Sequence, residues 1–511
     1  MATTDNKRIA KNTIFLYLRT LLLILVNLYA ARLVWQLLGV ANYGIYNVVG
    51  GIVLTFAFLN SAMVASSQRY ISFEIGRGDP ERIKKTFAIS VKVHFLLSFA
   101  VLIIAESIGL WFVNFKLNIP TGRLCAANWV YQCSVFSFIL TIIAVPYNAC
   151  IVAHEHMKVY SYIGILEGVL KLIIVYAALT IHYDPLITYA LLILVVSCIL
   201  RSCYIWYCHR HFPETKYSPQ KDSKLMKDMI SFAGWSFLGS MGLSVRDQGV
   251  NILLNLFFNV SINAAKGIAN QVGNVISSFA NNFTMALNPQ ITKRYSSGDI
   301  DGMMTLVVHG CRFSMILISF VVIPLLFCAH EVLRLWLGNV APYTVGFLQL
   351  ILIMALIDCG VSPLVTSLQA TGKIKKFQIV IAIITISTIP IAWIGLKSNL
   401  NPYIVMYSAI SMSITALIAR IMLLHEQIKF QYIRFFSQVY GRTLPMILLA
   451  AFCSWIIYNK MPSGVTGLIA FVLCTTSILI LFYLLIGSNA NERRLIVSTI
   501  KNRVTQLCRK K

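Results

Sequence analysis

Fourteen apolar segments, each about as long as a membrane-spanning helix, follow one another along this chain of 511 residues. A helix needs roughly 20 apolar residues to cross the hydrocarbon core of a bilayer. Charged residues make up only 12% of the chain, about half the share found in an ordinary soluble protein. The sequence therefore predicts an all-α polytopic membrane protein. The predicted spans are approximately 12–36, 43–67, 87–113, 127–153, 160–181, 186–208, 230–258, 267–289, 305–328, 344–369, 378–396, 403–424, 443–459 and 465–487.

The distribution of basic residues predicts how the chain is oriented. Of the 43 lysines and arginines, 29 fall in loops and tails on one side of the predicted spans, and 6 fall in loops on the other side. Lys266 is one of those 6. Because cytoplasmic loops carry the excess of basic residues, we expect both termini to be cytoplasmic. The net charge of +25 is dispersed over short loops, so we expect no nucleic-acid partner.

Several sequence marks recur in the same order at an offset near 220 residues. Gly78-Asp79 follows the second span, and Gly298-Asp299 follows the eighth. The turn Ala153–Lys158 closes the fourth span, and the turn Ala370–Lys376 closes the tenth. Each six-span half would begin on the cytoplasmic side, which predicts two parallel repeats related by an axis along the membrane normal. The alternative is the weak hydropathy periodicity that all polytopic proteins share.

The repeat predicts a division of the chain into two six-helix lobes and an extra pair of helices. The predicted parts are an N-terminal lobe at 1–208, a flexible cytoplasmic linker at 209–229, a C-terminal lobe at 230–425, an extra helix pair at 426–487 and a basic cytoplasmic tail at 488–511. Within the tail, apolar residues at helical spacing are compatible either with an amphipathic helix on the anionic inner leaflet or with disorder.

Two of the predicted spans carry polar side chains at helical spacing. Lipid cannot satisfy amide groups, so such stripes must face other helices or a wet cavity. They predict a polar cavity inside the bundle and hence a transporter for a polar substrate. The stripe residues are Ser244, Gln248, Asn251 and Asn255 in the seventh span, with Arg246 and Asp247 beside them, and Asn270, Asn274, Ser278, Asn281 and Asn288 in the eighth.

Four basic residues within predicted spans are further candidates for the cavity. A charge at mid-bilayer costs at least ~2.5–3.5 kcal/mol, so a deep one needs a partner, water or an anionic ligand. Lys171 has Glu167 four residues before it, so a local ion pair is the alternative there. Arg246 and Asp247 are neighbours on a helix and are not expected to face each other, because successive side chains point about 100° apart. The four candidates are Arg19, Arg32, Lys171 and Arg246.

Basic groups in the spans outnumber acidic ones, and the amide stripes suit a ligand with many hydroxyls. A sugar joined to a lipid phosphate or pyrophosphate combines both properties. We find no Gly-rich phosphate loop, no catalytic triad and no ATPase module, and we expect neither a cofactor nor a metal. The His154-Glu155-His156 pattern supplies two ligands, whereas a zinc site needs more, so we interpret these histidines as loop residues.

The two six-span halves, the Gly-Asp pair after the second span of each half and the turns at 153–158 and 370–376 together resemble the MOP transporter superfamily. Within it, the chain is most similar to the polysaccharide-transport branch of Wzx-type O-antigen and capsule flippases. The resemblance implies a MATE-like fold in the bacterial inner membrane. It also implies export of an undecaprenyl-pyrophosphate-linked oligosaccharide by alternating access, in contact with membrane lipids and with a proton or sodium ion as the possible coupling ion.

Two other functions are compatible with parts of the sequence. A proton- or sodium-coupled multidrug efflux transporter of the MATE type would need buried carboxylates, for which Asp247 and Asp358 are the best-placed candidates. A membrane enzyme such as a glycan polymerase or ligase would need a large external loop or clustered acid–base residues. The predicted outer loops are all short, so we expect a transporter and not an enzyme.

Overall fold

The structure, a computed structural model, describes residues 2–54, 57–115, 119–181, 183–216, 220–258, 260–338, 340–460, 464–488 and 493. Within these ranges all of the regular secondary structure is helical. The α-helices are α1 (Ala2–Leu54), α2 (Ala57–Arg77), α3 (Pro80–Ile104), α4 (Leu110–Phe115), α5 (Leu124–Ala153), α6 (Met157–Thr180), α7 (Pro185–His211), α8 (Ser223–Phe257), α9 (Val260–Ser296), α10 (Ile300–Phe327), α11 (Ala329–Leu337), α12 (Thr344–Cys359), α13 (Ser362–Thr371), α14 (Lys375–Ile386), α15 (Thr388–Lys397), α16 (Ile404–Ile428), α17 (Tyr432–Phe435), α18 (Gly441–Tyr458) and α19 (Val465–Phe482).

The predicted fold class, an all-α polytopic membrane protein, is confirmed. Within the described residues, ten helical segments are long and apolar enough to cross a membrane, and they coincide with ten of the fourteen predicted spans. The other four predicted spans fall on α1, α2, α8 and α9. Polar residues lower the apolar character of these four helices, and the two polar stripes lie on α8 and α9.

A break at Gly39 separates the first predicted span from the second. Gly39 has φ 68°, a left-handed conformation that glycine adopts without steric cost, and it interrupts the helical geometry of α1. The second predicted span begins in the last part of α1 and continues in α2, which begins at Ala57; residues 55 and 56 lie outside the described residues. The break lies between the first two predicted spans, which end at 36 and begin at 43.

The two Gly-Asp marks of the repeat have the same local structure. Gly78 and Gly298 take left-handed φ values of 75° and 82° where α2 and α9 end. The Asp79 side chain then accepts hydrogen bonds from the first backbone amides of α3, and Asp299 Oδ1 accepts one from Gly302 N at 2.9 Å. Glycine ends one helix and aspartate begins the next in both halves, as expected for C-terminal and N-terminal capping residues.

The chain divides into two compact units, and the first of them contains residues from both halves of the repeat. The predicted domain boundaries remain a prediction. The first unit comprises Met1–Val245, Asn282–Met303 and Thr366–Ile383, and the second comprises Arg246–Asn281, Met304–Val365 and Ile384–Lys511.

In the first unit, the turn after α5 is bound to the end of α9. Glu155 is buried and has φ 64°, which is uncommon for a residue other than glycine. Its Oε1 lies 2.6 Å from Lys293 Nζ, and its Oε2 accepts a hydrogen bond from Gln290 Nε2 at 2.7 Å. Its backbone carbonyl accepts a hydrogen bond from Asn12 Nδ2 at 3.3 Å. This turn of the first half is therefore held by residues of both halves.

A reciprocal contact lies in the same unit. Arg69 Nη2, near the end of α2, donates to the carbonyl of Ala370 at 3.1 Å. The adjacent Gly372 has φ 78°, and a Cβ at this glycine would lie 2.7 Å from Arg69 Nη2. The turn of the second half is thus held by a residue of the first half, and glycine is needed for both its conformation and its clearance.

The linker between the halves is short and bound at both ends. α7 continues to His211, and Pro213–Thr215 form one turn of 3-10 helix before α8 begins at Ser223. Asp222 precedes α8; a hydrogen bond from the Leu225 amide and an ion pair with Lys85 at 2.8 Å lower the pKa of its carboxyl group. Residues 217–219 of the linker lie outside the described residues.

The extra helix pair, α18 and α19, belongs to the second unit. Tyr458 OH, at the end of α18, donates to Glu331 Oε1 of α11 at 2.6 Å, and its ring lies 5.5 Å from that of Phe471 on α19. Large apolar side chains remain exposed on this and other helices, as expected where the surface faces lipid tails. The predicted basic tail at 488–511 lies outside the described residues, apart from Ser488 and Arg493.

Candidate substrate pocket

The second unit contains a polar pocket of about 410 Å³, within the size range of small-molecule sites. Its walls come from the last turns of α8, the first half of α9, and parts of α10, α12, α13 and α16. Apolar side chains such as Ile318, Ile351 and Met406 form the remainder of the wall. The polar lining residues are Arg246, Asp247, Gln248, Asn251, Lys266, Asn270, Asn274, Ser277, Asn281, Asp358 and Ser362.

The helical periodicity of α9 positions much of this polar lining. Asn270, Asn274 and Asn281 follow one another at intervals of four and seven residues and so lie along one face of the helix. Three residues of the stripe predicted for the eighth span thus line this pocket, whereas Ser278 and Asn288 do not. Amide groups offer both donors and acceptors, so such a surface can bind a ligand with many hydroxyls.

Gly273 brings two walls of the pocket close together. A Cβ at this position would lie 2.5 Å from Ile351 Cγ2 of α12, a distance that side chains do not adopt. Glycine at this position therefore allows α9 and α12 to approach closely beside the amide stripe.

Lys266 is a lining residue that the sequence analysis placed in an outer loop. It lies instead in α9, is only 4% exposed, and donates from Nζ to Asn251 Oδ1 at 2.8 Å. Lys266, Asn270 and Asn274 are spaced four residues apart, so the stripe itself contained the signal. The predicted span begins at 267 and therefore does not include this lysine.

Arg246 and Asp247 form a local ion pair, and the expectation that they would not face each other is wrong. Arg246 Nη2 lies 2.8 Å from Asp247 Oδ1, and Arg246 Nε lies 2.9 Å from the same oxygen. The Cβ atoms of neighbouring residues do diverge on a helix, but the arginine side chain is long enough to fold back along the surface. Both residues line the pocket, as an ion pair.

Among the described residues, the charged groups of the lining are two basic and two acidic. Arg246 is paired with Asp247, and Asp358 accepts a hydrogen bond from Ser413 Oγ. The described partner of the Lys266 ammonium group is the neutral amide oxygen of Asn251. Of the two nearby charges, Asp247 attracts the ammonium group and Arg246 repels it. Lys266 is therefore the basic group of this pocket best suited to an anionic ligand.

Two of the predicted cavity cations lie in the first unit. The Arg19 guanidinium lies over the Tyr160 ring, 4.7 Å from its centroid, and packs against Gly164 of α6. Lys171 Nζ lies 2.8 Å from Glu167 Oε1, which is the local ion pair that the sequence left open. Arg19 and Arg246 belong to different units, so a cavity shared by them remains a prediction.

Two predicted site residues are not placed in the pocket. The side chain of Arg32 lies outside those that the structure describes. Asn255 is exposed and is not among the residues that line the pocket. It lies near the end of α8, beyond the turn that carries Arg246 and Asn251.

Comparisons with known proteins cover both halves of the chain. A family model described as "Polysaccharide biosynthesis protein" matches residues 9–294. A second model, described as "MatE", matches residues 250–394. The two matches overlap only in the region of α8 and α9.

The chain resembles one curated relative over part of its length. It is 21% identical over 324 residues to the uncharacterized membrane protein EpsK of Bacillus subtilis (strain 168), a match that covers 62% of this chain and 63% of that protein. The chain thus spans less than two thirds of the length of this relative.

Solved structures with a similar fold are MOP superfamily transporters. An outward-facing multidrug resistance MATE family transporter has a TM-score of 0.73 at 13% identity, covering 83% of this chain and 96% of that one. A MOP superfamily transporter from Pyrococcus furiosus has a TM-score of 0.69 at 13% identity, with the same coverage. These likenesses confirm the predicted MATE-like fold.

Proposed function

We propose a substrate for this protein from one premise: the chain belongs to the polysaccharide biosynthesis protein family, whose model matches residues 9–294. It is a multi-pass membrane transporter of the MOP superfamily. Our proposal is that it exports a lipid-pyrophosphate-linked oligosaccharide, with undecaprenyl as the lipid, from the inner to the outer leaflet. The protein would lie in the bacterial inner membrane with both termini in the cytoplasm, and it would act without enzymatic chemistry.

The observation that carries the proposal is the combination of Lys266 with the amide stripe in one pocket. The ammonium group of Lys266 offers a positive charge whose described partner is neutral, and Asn270, Asn274 and Asn281 offer hydrogen-bonding groups on the same face of α9. An anionic group would bind the lysine while neighbouring hydroxyls bind the amides. Such a pocket suits part of the polar headgroup, while the lipid chain stays in the bilayer.

The contacts in the first unit support transport by alternating access. Glu155 binds Lys293, and Arg69 binds the turn at Ala370, so the predicted cytoplasmic ends of helices from the two halves are joined. We propose that these contacts close the cytoplasmic side and break when substrate enters. An inside-negative potential would favour outward movement of the anion by ~2.3 kcal/mol per charge per 100 mV.

The test of this function is complementation in a bacterium whose own copy of the gene is depleted. Depletion should lower surface glycan and cause lipid-linked oligosaccharide to accumulate on the cytoplasmic leaflet. Lys266→Met should restore little surface glycan at normal protein levels, since a hydrogen bond to a charged group contributes about 1.5–3 kcal/mol, or roughly tenfold or more in affinity. Lys397→Met, the same substitution at an exposed position, should complement fully.

Arg246→Ala is the second variant of this test. It removes the partner of Asp247 and leaves a carboxylate close to the site proposed for an anion. We expect a loss of export at least as large as that of Lys266→Met. Wild-type glycan levels in both variants would reject this pocket as the binding site, and unchanged glycan on depletion would reject the function itself.

Multidrug efflux coupled to protons or sodium is the second candidate, and Asp358 is the observation that favours it. This carboxylate lines the pocket within the region matched by the MatE model. A carboxylate that binds a coupling ion or a cationic drug would be required for efflux, so Asp358→Asn should abolish protection against cationic dyes. Protection by the wild type, together with normal surface glycan on depletion, would favour this alternative.

A further inference from the structure

A cysteine, a histidine and a glutamate converge in the first unit, at the predicted cytoplasmic end of α5. Cys150 and His154 are four residues apart and so share one face of the last turns of this helix. Glu214 comes from the 3-10 turn Pro213–Thr215, about 60 residues later in the chain. Their potential ligand atoms all lie within 4.8 Å of one another.

The distances within this cluster are close to those of a metal site. His154 Nε2 lies 2.5 Å from Glu214 Oε1, and Cys150 Sγ lies 3.9 Å from the same oxygen. In a tetrahedral zinc site, ligands at the usual bond lengths are about 3.3–3.7 Å apart. Shifts of about 1 Å in side chains alone would open the His154–Glu214 contact and bring all three ligands to one ion.

The surroundings of His154 fix the orientation of its ring. Phe212 stacks on the imidazole at a centroid distance of 4.3 Å and an interplanar angle of 11°. Stacking of this kind leaves the ring edge, and hence Nε2, directed at Glu214.

We propose that Cys150, His154 and Glu214 bind a divalent transition-metal ion, with zinc as the best match. A thiolate, an imidazole and a carboxylate are together typical of zinc, whereas calcium and magnesium prefer oxygen ligands alone. A water molecule would complete the coordination. The ion would join the linker between the two halves to the end of α5, and Cys150 would lose its thiol proton on binding.

The simpler interpretation is a hydrogen-bonded His154–Glu214 pair that needs no ion. The pattern His154-Glu155-His156 alone predicts no zinc site, because it provides too few ligands. The structure supplies them from elsewhere: His156 instead makes a hydrogen bond through Nδ1 with Tyr207 OH at 2.8 Å. His154 and His156 therefore form a matched pair for an experiment.

The experiment uses the full-length protein in detergent, freed of metal by a chelator and titrated with Co²⁺. Four cysteines are first replaced by serine to remove competing thiols: Cys125, Cys198 and Cys474, which are exposed, and Cys508, which lies outside the described residues. We expect one equivalent of Co²⁺ with a thiolate-to-cobalt charge-transfer band, and displacement of the cobalt by Zn²⁺.

Three variants and one control test the assignment. Cys150→Ser should lose the charge-transfer band, and His154→Gln and Glu214→Gln should each weaken binding at least about tenfold. His156→Gln should bind like the parent. Zinc should raise the thermal unfolding temperature of the parent and of His156→Gln but not that of His154→Gln, a comparison that remains valid if Cys150→Ser fails to fold.

Two results would overturn the proposal. The first is that the parent protein shows no charge-transfer band, even when enough Co²⁺ is added to saturate a competing chelator. The second is binding by His154→Gln and Glu214→Gln with unchanged stoichiometry and affinity, which would leave these residues as a hydrogen-bonded pair.

Discussion

Replacement of Glu155 by glutamine tests the contact that joins the two halves in the first unit. The Glu155 side chain is 1% exposed and that of Lys293 is 20% exposed, so the substitution removes one charge of a largely buried pair. Breaking such a pair typically costs about 3–5 kcal/mol, because the other charge is left without its partner. We expect the lower end, about 3 kcal/mol, because the lysine keeps some access to water and the glutamine can still bind Gln290.

The loss should appear as a lower temperature of thermal unfolding. The entropy of unfolding is about 2 cal/mol/K per residue, so cooperative unfolding of 511 residues corresponds to about 1 kcal/mol per degree. Glu155→Gln should therefore unfold about 3 °C below the wild type. Unfolding can be followed with a thiol-reactive fluorophore, because buried cysteines such as Cys133 and Cys311 become accessible only on unfolding.

A double-mutant cycle separates the ion pair from other effects at these positions. If the pair provides the stability, the double variant Glu155→Gln/Lys293→Met should lose at least about 1 kcal/mol less than the sum of the single variants. Arg82→Met is the control, since its ion pair with Asp79 is exposed and should contribute less than about 1 kcal/mol. If the losses of the two single variants simply add in the double variant, the ion pair does not provide the stability.

Glu155→Gly compares the backbone strain at this turn with the ion pair. The equivalent turn of the second half has glycine at 372. Glycine would relieve the left-handed strain at φ 64°, a gain of about 1–2 kcal/mol, but would also remove the carboxylate. The ion pair is the larger effect, so we expect Glu155→Gly to be less stable than the wild type. A more stable Glu155→Gly would mean that the strain outweighs the pair.

Three further predictions concern capping, packing and topology. Asp79→Ala should destabilise the protein by about 1 kcal/mol, measured by the same unfolding assay, because the first amides of α3 lose their acceptor; an equal effect is expected for Asp299→Ala if the repeat is structural. Gly273→Leu should force α9 and α12 apart, costing about 1–3 kcal/mol and abolishing transport, whereas the same change at Gly267, which has open space around it, should be tolerated better. Fluorescent-protein fusions at the N- and C-termini should both fluoresce and periplasmic phosphatase fusions should both be inactive; the reverse result at either end would contradict the predicted orientation.

Local features of this protein were predictable from its sequence, because their causes lie within a few residues. Long apolar segments predicted the spans, and the Gly-Asp pairs of the predicted repeat lie where one helix ends and the next begins. The amide stripe of α9 also faces a pocket, as its periodicity indicated. In each case the determining interaction is between neighbours on one helix or between a side chain and lipid.

Features that depend on side-chain length or on distant contacts were missed. The pairing of Arg246 with Asp247 depends on the reach of the arginine, which helical geometry alone does not describe. Lys266 was excluded by a span boundary drawn one residue too late. The approach of Glu214 to His154 depends on how the linker returns to α5, and no pattern in the sequence specifies this.

The reciprocal contacts of the first unit are what a parallel repeat would produce. An axis along the membrane normal exchanges the halves, so a helix end of one half that meets a turn of the other must have a counterpart. Lys293 meets the turn at Glu155, and Arg69 meets the turn at Ala370. The two contacts differ in chemistry: one is an ion pair between side chains, and the other joins a guanidinium to a backbone carbonyl. Substitution can therefore abolish the charge of Glu155 but not the carbonyl of Ala370, so Glu155 is the position at which the proposed cytoplasmic closure can be weakened from the turn side.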